Sequence, residues 1–338
     1  MIASIEKIAA TVLYEGYLLW PYRRSARKNQ QRWTLGGVYP QRYSALHPDN
    51  PWLMQTECLV TGERPVVSVC VRFLQVVARQ VMQKGESGAF AAVDALWVGR
   101  EQYLTWDEAT ERAVQIDELA LPELTAARSI PLFIPAGRRE ETLTAPDGAE
   151  AGALVRWWRT LEGAVEVQAT AVAEALWRLT IRIVNTTPWA WLGRAETLRQ
   201  TFVSTHTILT AAGGEFVSLM DPPAPLYDAT AACKNVKTWP VLAGAEGERH
   251  VMLSSPMILY DYPQVAPESP GDLFDGGEID QLLLLNILSL TDAEKAEMRA
   301  TDPHARTILE RCEALTADDF MHLHGAIREF RVLDAQAE

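Results

Sequence analysis

The sequence is poor in cysteine, and it lacks any long uninterrupted apolar run. Its 338 residues include four cysteines, which are scattered without a CxxC pair. This spacing excludes zinc ribbons and disulfide frameworks, and it predicts reduced and mostly buried thiols. No stretch approaches ~18 consecutive apolar residues, so no membrane span is predicted. The apolar run at the start carries Glu6 and Lys7, and its arginines follow it, which is the reverse of a secretory signal. We therefore expect a cytoplasmic protein.

Positive charge is also in short supply. The chain carries 31 Lys and Arg residues against 44 Asp and Glu residues, a net charge of −13. A polyanion would repel such a chain, so the composition argues against a nucleic-acid partner. With 48% hydrophobic and 22% charged residues, the composition is that of a globular protein with a sizeable core.

The charge is distributed unevenly along the chain. Residues 1–42 hold seven basic and two acidic side chains, whereas residues 261–280 hold six acidic and no basic ones. The two segments could pair within one molecule, or each could face a partner. Both readings remain open at the level of sequence.

Strand patterns dominate the first two thirds of the chain. Apolar residues alternate with others over Pro65–Val77, which predicts a strand, and the turn at 61–65 predicts a hairpin with Gln55–Val60. A second pair of strands is predicted at Ala164–Ala171 and Ala175–Val184, at the edge of a sandwich. The glycines at 213 and 214 predict another hairpin, between Thr201–Leu209 and Glu215–Leu219. Residues 138–152 have no apolar period and are predicted to be a mobile surface loop.

Helix signals are concentrated near the end of the chain. Thr291 and Glu294 have the spacing of a capping box, and Asp302-Pro303 is typical of the start of a second helix. A third helix is predicted from Thr316 to about Phe330. The expected fold is α+β, with a largely antiparallel, sandwich-like β core and a C-terminal group of short helices. The expected organisation is an aromatic and basic segment at 1–60, a β-rich core at 61–260, and an acidic loop with helices at 261–338.

The catalytic and cofactor motifs that a sequence reveals most readily are missing. There is no HExxH, no GxSxG, no P-loop and no dinucleotide fingerprint. His322 and His324 are two positions apart, so on a helix they point about 200° apart and cannot hold one ion. The catalytic residues are unknown at this level, no cofactor is predicted, and an enzyme is the less favoured class.

A metal site is the alternative hypothesis. Carboxylates recur every three or four residues in the acidic segment, where their oxygens could converge on a hard cation. Acids before a helix are better explained by its dipole, and lone histidines are usually structural. The candidate ligands for a metal-dependent enzyme or a metal-handling protein are His206, His250, Asp261, Glu268, Asp272 and Asp275.

An aromatic and basic segment near the start is the preferred candidate for binding a protein. Rigid rings bury a large area and guanidinium groups pair with carboxylates, so tyrosine, tryptophan and arginine are typical of binding hot spots. The same composition also fits an aromatic core segment followed by a solvated basic loop. The candidate partner-binding residues are Tyr17, Trp20, Tyr22, Arg23, Arg24, Arg27, Arg32 and Trp33.

Three stretches carry a resemblance to a known family. They read EGYLLWPYRRSARKNQQRWTLGGVYP, STHTILTAAGGEFVSLMDPP and LSSPMILYDYPQVAPESPGDLFDGGEID. Together they resemble a family of cytoplasmic proteins encoded beside oxygen-tolerant, high-affinity nickel-iron hydrogenases. The resemblance implies an accessory role in making, loading or stabilising the hydrogenase, with hydrogenase subunits as partners. It supplies no catalytic residue, and the sequence leaves the oligomeric state open.

Overall fold

Two antiparallel sheets make up most of the protein. The computed structural model describes residues 8–10, 13–14, 23–25, 29, 35–190, 193–264 and 286–314. Within these residues the strands are β1 Leu53–Thr61, β2 Val66–Lys84, β3 Phe90–Val93, β4 Ala95–Val98, β5 Glu101–Leu104, β6 Trp106–Ala120, β7 Arg128–Ile134, β8 Gly137–Thr144, β9 Glu150–Trp158, β10 Leu161–Ala173, β11 Leu176–Asn185, β12 Val203–Ala212, β13 Glu215–Phe216, β14 Trp239–Leu242 and β15 Val251–Ser255.

The strands are arranged in two main sheets and one small one. The first sheet has the order β13-β1-β11-β10-β7, and the second has the order β14-β15-β12-β2-β9-β8. Strands β3 and β6 also pair with β2, whereas β4 and β5 pair only with each other. Because β2 is 19 residues long, it pairs with β12 and β6 along its first part and with β9 and β3 along its last part.

One apolar core holds the two main sheets face to face. It combines inward side chains of the first sheet, such as Val165 and Ile181, with those of the second sheet, such as Val69 and Phe73. All four side chains are 1% exposed or less. The alternation of buried and partly exposed residues in the first half of β2 is what the sequence pattern predicts for such a sandwich. The predicted α+β fold with an antiparallel sandwich core is therefore confirmed.

The helices are short. They are α1 Gln41–Leu46, α2 Arg194–Leu198, α3 Tyr227–Ala231, α4 Asp292–Thr301 and α5 Pro303–Ala314, with 3-10 turns at Leu121–Glu123 and Ala224–Leu226. The predicted capping box precedes α4: the backbone N–H of Glu294 donates to Thr291 Oγ1, and that of Thr291 donates to the Glu294 carboxylate. The predicted start at Asp302-Pro303 is also confirmed, and α5 buries Ala305, Ile308, Leu309 and Cys312. The predicted third helix and the histidines at 322 and 324 lie outside the described residues.

Both hairpins predicted from turn residues beside β1 and β12 are wrong. β1 does not fold back on β2; it pairs with β11 and β13 in the other sheet. β13 likewise pairs with β1 and not with β12. The turns at 61–65 and 213–214 therefore carry the chain from one sheet to the other, and the same turn residues serve such a crossing as well as a hairpin.

Two other sequence predictions are corrected by the sheet pairing. Residues 138–152 are not a loop but form most of the β8–β9 hairpin. Its first strand is exposed on both faces, so it has no apolar alternation to detect. The β10–β11 pair forms as predicted, but it lies inside its sheet and not at the edge.

No helix among the described residues has both the length and the apolar character that a membrane crossing requires.

Candidate functional site

The predicted partner-binding arginines that the structure describes make contacts within the molecule. Arg23 Nη1 lies 2.7 Å from Glu294 Oε1 at the start of α4. Arg24 Nη1 donates to the carbonyl oxygens of Asp94 and Thr105, at 3.0 and 2.9 Å. These contacts fasten residues 23–24 to the C-terminal helices and to the β4–β5 hairpin. The remaining candidates, Tyr17, Trp20, Tyr22, Arg27, Arg32 and Trp33, lie outside the described residues.

His206, the first of the metal candidates, is fully buried in β12. Its Nδ1 lies 3.0 Å from the carbonyl oxygen of Ser204, and a carbonyl only accepts, so the neutral ring donates from Nδ1. Nε2 then carries the lone pair, and it has no hydrogen-bond partner. Burial lowers the pKa of His206 to about 4, because the charged ring loses its hydration. Ser204, at the adjoining bulge, has a φ of 53°.

His250 lies far from His206. The carbonyl of His250 accepts from Ala211 N, five residues along β12 from His206, which corresponds to about 16 Å of strand. The His250 ring is exposed, and its Nδ1 is 3.2 Å from Gly214 O. The two imidazoles therefore do not share a site.

Asp261, the third described metal candidate, ties chain segments together. Its Oδ1 accepts from the backbone N–H of Leu242 at 2.8 Å, and its Oδ2 accepts from Ser218 Oγ at 2.5 Å. Ser218 Oγ in turn accepts from Met220 N. No group of three or more metal-ligating side chains occurs within the described ranges. Glu268, Asp272 and Asp275 lie outside them.

An exposed apolar surface surrounds this Asp261 junction, and sequence reasoning missed it. Ile258 is 74% exposed and Tyr260 is 81% exposed. Leu259, between them, packs instead against the apolar cluster formed by β14 and β15. Four exposed side chains lie on β14 and on the chain segments that Asp261 connects, and we call them the apolar ridge: Met220, Trp239, Ile258 and Tyr260.

The ridge has a well-fixed support. Trp239 begins β14, whose far end is bonded to Tyr262 through the Tyr262 N–H and the Leu242 carbonyl at 2.7 Å. Residues 261–262 therefore lie beside the last residue of β14, at one edge of the second sheet. Leu259 points inward and its neighbours point outward, but residues 258–260 are all apolar, so the sequence carries no period-2 signal for this arrangement.

A charged cleft lies between the helices α4 and α5 and side chains of β2, β5, β6, β8 and β9. It has a volume of about 420 Å³ and is lined by side chains of both signs. Glu108 accepts from Arg79 Nη1 and from Arg156 Nε, each at 2.7 Å. Burial and a hydrogen bond to Glu101 raise the pKa of Tyr103 to about 12.

The best-buried cation of the cleft holds the helices in place. Arg79 Nη2 donates to the carbonyl oxygens of Ala300 and Thr301, at 2.7 and 3.1 Å, and its Nε donates to Leu104 O at 2.9 Å. Burial lowers the pKa of Arg79, while Glu108 opposes that change. With its guanidinium occupied by carbonyls and a carboxylate, Arg79 stabilises the packing of α4 and α5 on the sheet.

No protein-family model matches this chain, and no curated protein is significantly similar to it.

Proposed function

We propose that this chain is a non-enzymatic accessory protein that binds another protein through the apolar ridge. The resemblance of its sequence supports a subunit of a nickel-iron hydrogenase as the partner, with a role in maturation or stabilisation in the cytoplasm. The observation that carries the proposal is the exposure of Ile258 and Tyr260, at 74% and 81%, on a segment fixed to the sheet.

The exposed side chains have the chemistry of a binding hot spot. Tyrosine and tryptophan supply large contact areas with few rotatable bonds, so ordering them on binding costs little entropy. A methionine and an isoleucine beside them add adaptable apolar surface. Scattered single apolar residues need no explanation, but Ile258 and Tyr260 are both exposed on one short segment, and such paired exposure is typical of an interaction surface.

The support of the ridge favours binding without a large rearrangement. Asp261 fixes three chain segments through Leu242, Ser218 and the Tyr260–Tyr262 backbone. A surface that is already held in one conformation loses less freedom when it binds, and more of the contact energy then appears as affinity.

The metal hypothesis has less support in the described part of the chain. His206, His250 and Asp261 are apart, and each has a structural contact of its own. Metal analysis of the purified protein separates the two proposals. Stoichiometric metal that survives chelation would favour the metal-handling alternative.

The binding test uses purified large and small hydrogenase subunits and the immobilised full chain. We expect the double variant Ile258→Ser with Tyr260→Ser to bind about 30-fold more weakly, because truncating two hot-spot side chains costs about 2 kcal/mol or more. Phe133→Ser is the matched control, since Phe133 is 65% exposed on β7 in the other sheet.

Two results would reject parts of the proposal separately. If neither subunit binds the wild-type chain, the hydrogenase assignment is wrong. If a subunit binds and the ridge variant binds equally well, the partner is right and the surface is wrong. In that case Arg23→Glu with Arg24→Glu tests the basic segment instead.

A further inference from the structure

Three long strands have one partner only within the described residues, so their outer edges carry unpaired backbone groups. β6 pairs with β2, β7 pairs with β10, and β8 pairs with β9. An open edge can accept a strand from another chain unless its residues prevent it. The three edges differ in this respect.

Two of the edges are protected against a second copy of the chain. β6 carries five carboxylates and one guanidinium, so two copies of it would repel each other. β7 contains Pro131 in its middle, which has no N–H to donate to a neighbouring strand.

β8 has neither protection. Its residues 138–142 are all exposed, on both faces of the strand, and they include no proline and no glycine. Its only irregularity lies at its end, between Leu143 and Thr144. Its charges are Arg138, Arg139, Glu140 and Glu141, which sum to zero.

We infer that β8 pairs antiparallel with β8 of a second copy, forming a two-fold symmetric dimer. A two-fold axis perpendicular to the sheet places one residue opposite itself and its neighbours on either side opposite each other. With the axis at Arg139, Arg138 of each copy lies opposite Glu140 of the other. The second sheet of one copy then continues into that of the other.

The side-chain arrangement in a single copy suits this register. Arg138 and Glu140 share one face of the strand, and Arg138 Nη2 is 2.8 Å from Glu140 Oε2. In the dimer the two pairs form a ring of four charges that alternate in sign. Cross-strand pairs of opposite charge stabilise a sheet, and like charges directly opposite destabilise it.

The opposite face of the strand contains the one unfavourable contact. There Arg139 meets Arg139 of the second copy, with Glu141 two residues away on the same face. Glu141 is itself held by Arg156 Nη1 at 2.7 Å. A single strand pair buries little area, so the dimer dissociates on dilution.

The test is sedimentation equilibrium of the full chain over a range of concentrations. Wild type is expected to be dimeric at high concentration and monomeric when dilute. Arg138→Glu places four acids in the ring, and Glu140→Arg places four bases there. Each single change is expected to weaken the dimer about tenfold, because two favourable pairs become repulsive.

The double variant Arg138→Glu with Glu140→Arg has the wild-type composition and restores the alternation, so it is expected to recover the dimer. Arg139→Thr removes the contact between like charges and is expected to make the dimer tighter. Arg128→Glu, on the exposed part of β7, is the matched control and leaves the dimer unchanged.

Because the four positions are exposed, circular dichroism is expected to show the same fold in every variant. A wild-type chain that stays monomeric at the highest concentration overturns the inference. A dimer that neither single change weakens also overturns it, since the interface then lies elsewhere. None of these measurements involves the hydrogenase, so their outcome is independent of the proposed function.

Discussion

The two ends of β2 are held by different kinds of interaction. In its first half, inward residues such as Val71 and Phe73 are fully buried in the apolar core between the sheets. In its second half Arg79 is buried below α4 and α5 and is held by directional hydrogen bonds. Apolar packing is non-directional and depends on filled volume, whereas the charge network depends on every partner being present.

The core end offers the largest expected effect. Phe73 is fully buried, and the centroid of its ring lies 4.8 Å from that of Phe202. Phe73→Ala leaves a cavity between the sheets, and we expect it to lower the free energy of unfolding by about 3–5 kcal/mol. Urea denaturation measures the change. Phe133→Ala, at an exposed position, is the control. If Phe73→Ala lowers the free energy of unfolding by less than this control does, the placement of Phe73 is contradicted.

A substitution at the charged end of β2 is expected to destabilise mainly the adjacent helices α4 and α5. Arg79→Met removes the donor to the carbonyl oxygens of Ala300 and Thr301 and leaves Glu108 with Arg156 as its remaining cation. We expect a loss of about 3 kcal/mol, because breaking a buried charge pair costs more than the pair contributes. Hydrogen exchange should rise first in residues 292–314.

Arg138→Met, in an exposed ion pair, provides the comparison and is expected to change stability by about 0–1 kcal/mol. Equal protection of residues 292–314 in wild type and the Arg79 variant would show that Arg79 does not hold the helices.

His206 is expected to make the stability depend on pH, an effect that is absent near neutral pH. Its pKa is about 4 in the folded chain and 6.5 ordinarily, so the unfolded chain binds more protons between these values. Stability contributed by the neutral ring is present above pH 6.5 and decreases as the pH falls towards 4. The slope approaches about 1.4 kcal/mol per pH unit for this one group.

Urea denaturation at several pH values measures the difference between wild type and His206→Gln. We expect His206→Gln to lose the His206 contribution to the change of unfolding free energy with pH. The control His250→Gln, at an exposed ring, is expected to keep that contribution. An unchanged slope in His206→Gln would mean that the ring is hydrated in the folded chain.

Sequence patterns predicted the elements whose signal is local. The first half of β2 alternates because one face is buried, and α4 is marked by a capping box that spans four residues. The predicted strand ended at Val77, whereas β2 continues to Lys84, because residues 73–79 are buried on both faces and the period of two disappears there.

The structural features that sequence patterns did not predict depend on contacts between residues that are distant in the chain. Nothing near Thr61 distinguishes a hairpin from a crossing between sheets, because the difference lies in the pairing of β1 with β11. Glu108 meets Arg79 and Arg156 across 29 and 48 positions, so no spacing rule finds the charged cleft. For the apolar ridge, the outward positions of Ile258 and Tyr260 follow from the inward packing of Leu259, which only the fold specifies.

The pairing of β2 also has a consequence for synthesis of the chain. One of its sides is completed by β12, which leaves the ribosome more than a hundred residues later. During that interval one edge of β2 lacks its partner strand along residues 66–74, and closing so long a loop is slow. Nascent chains are therefore expected to need a chaperone until β12 has emerged, and chains truncated before residue 203 are expected to aggregate.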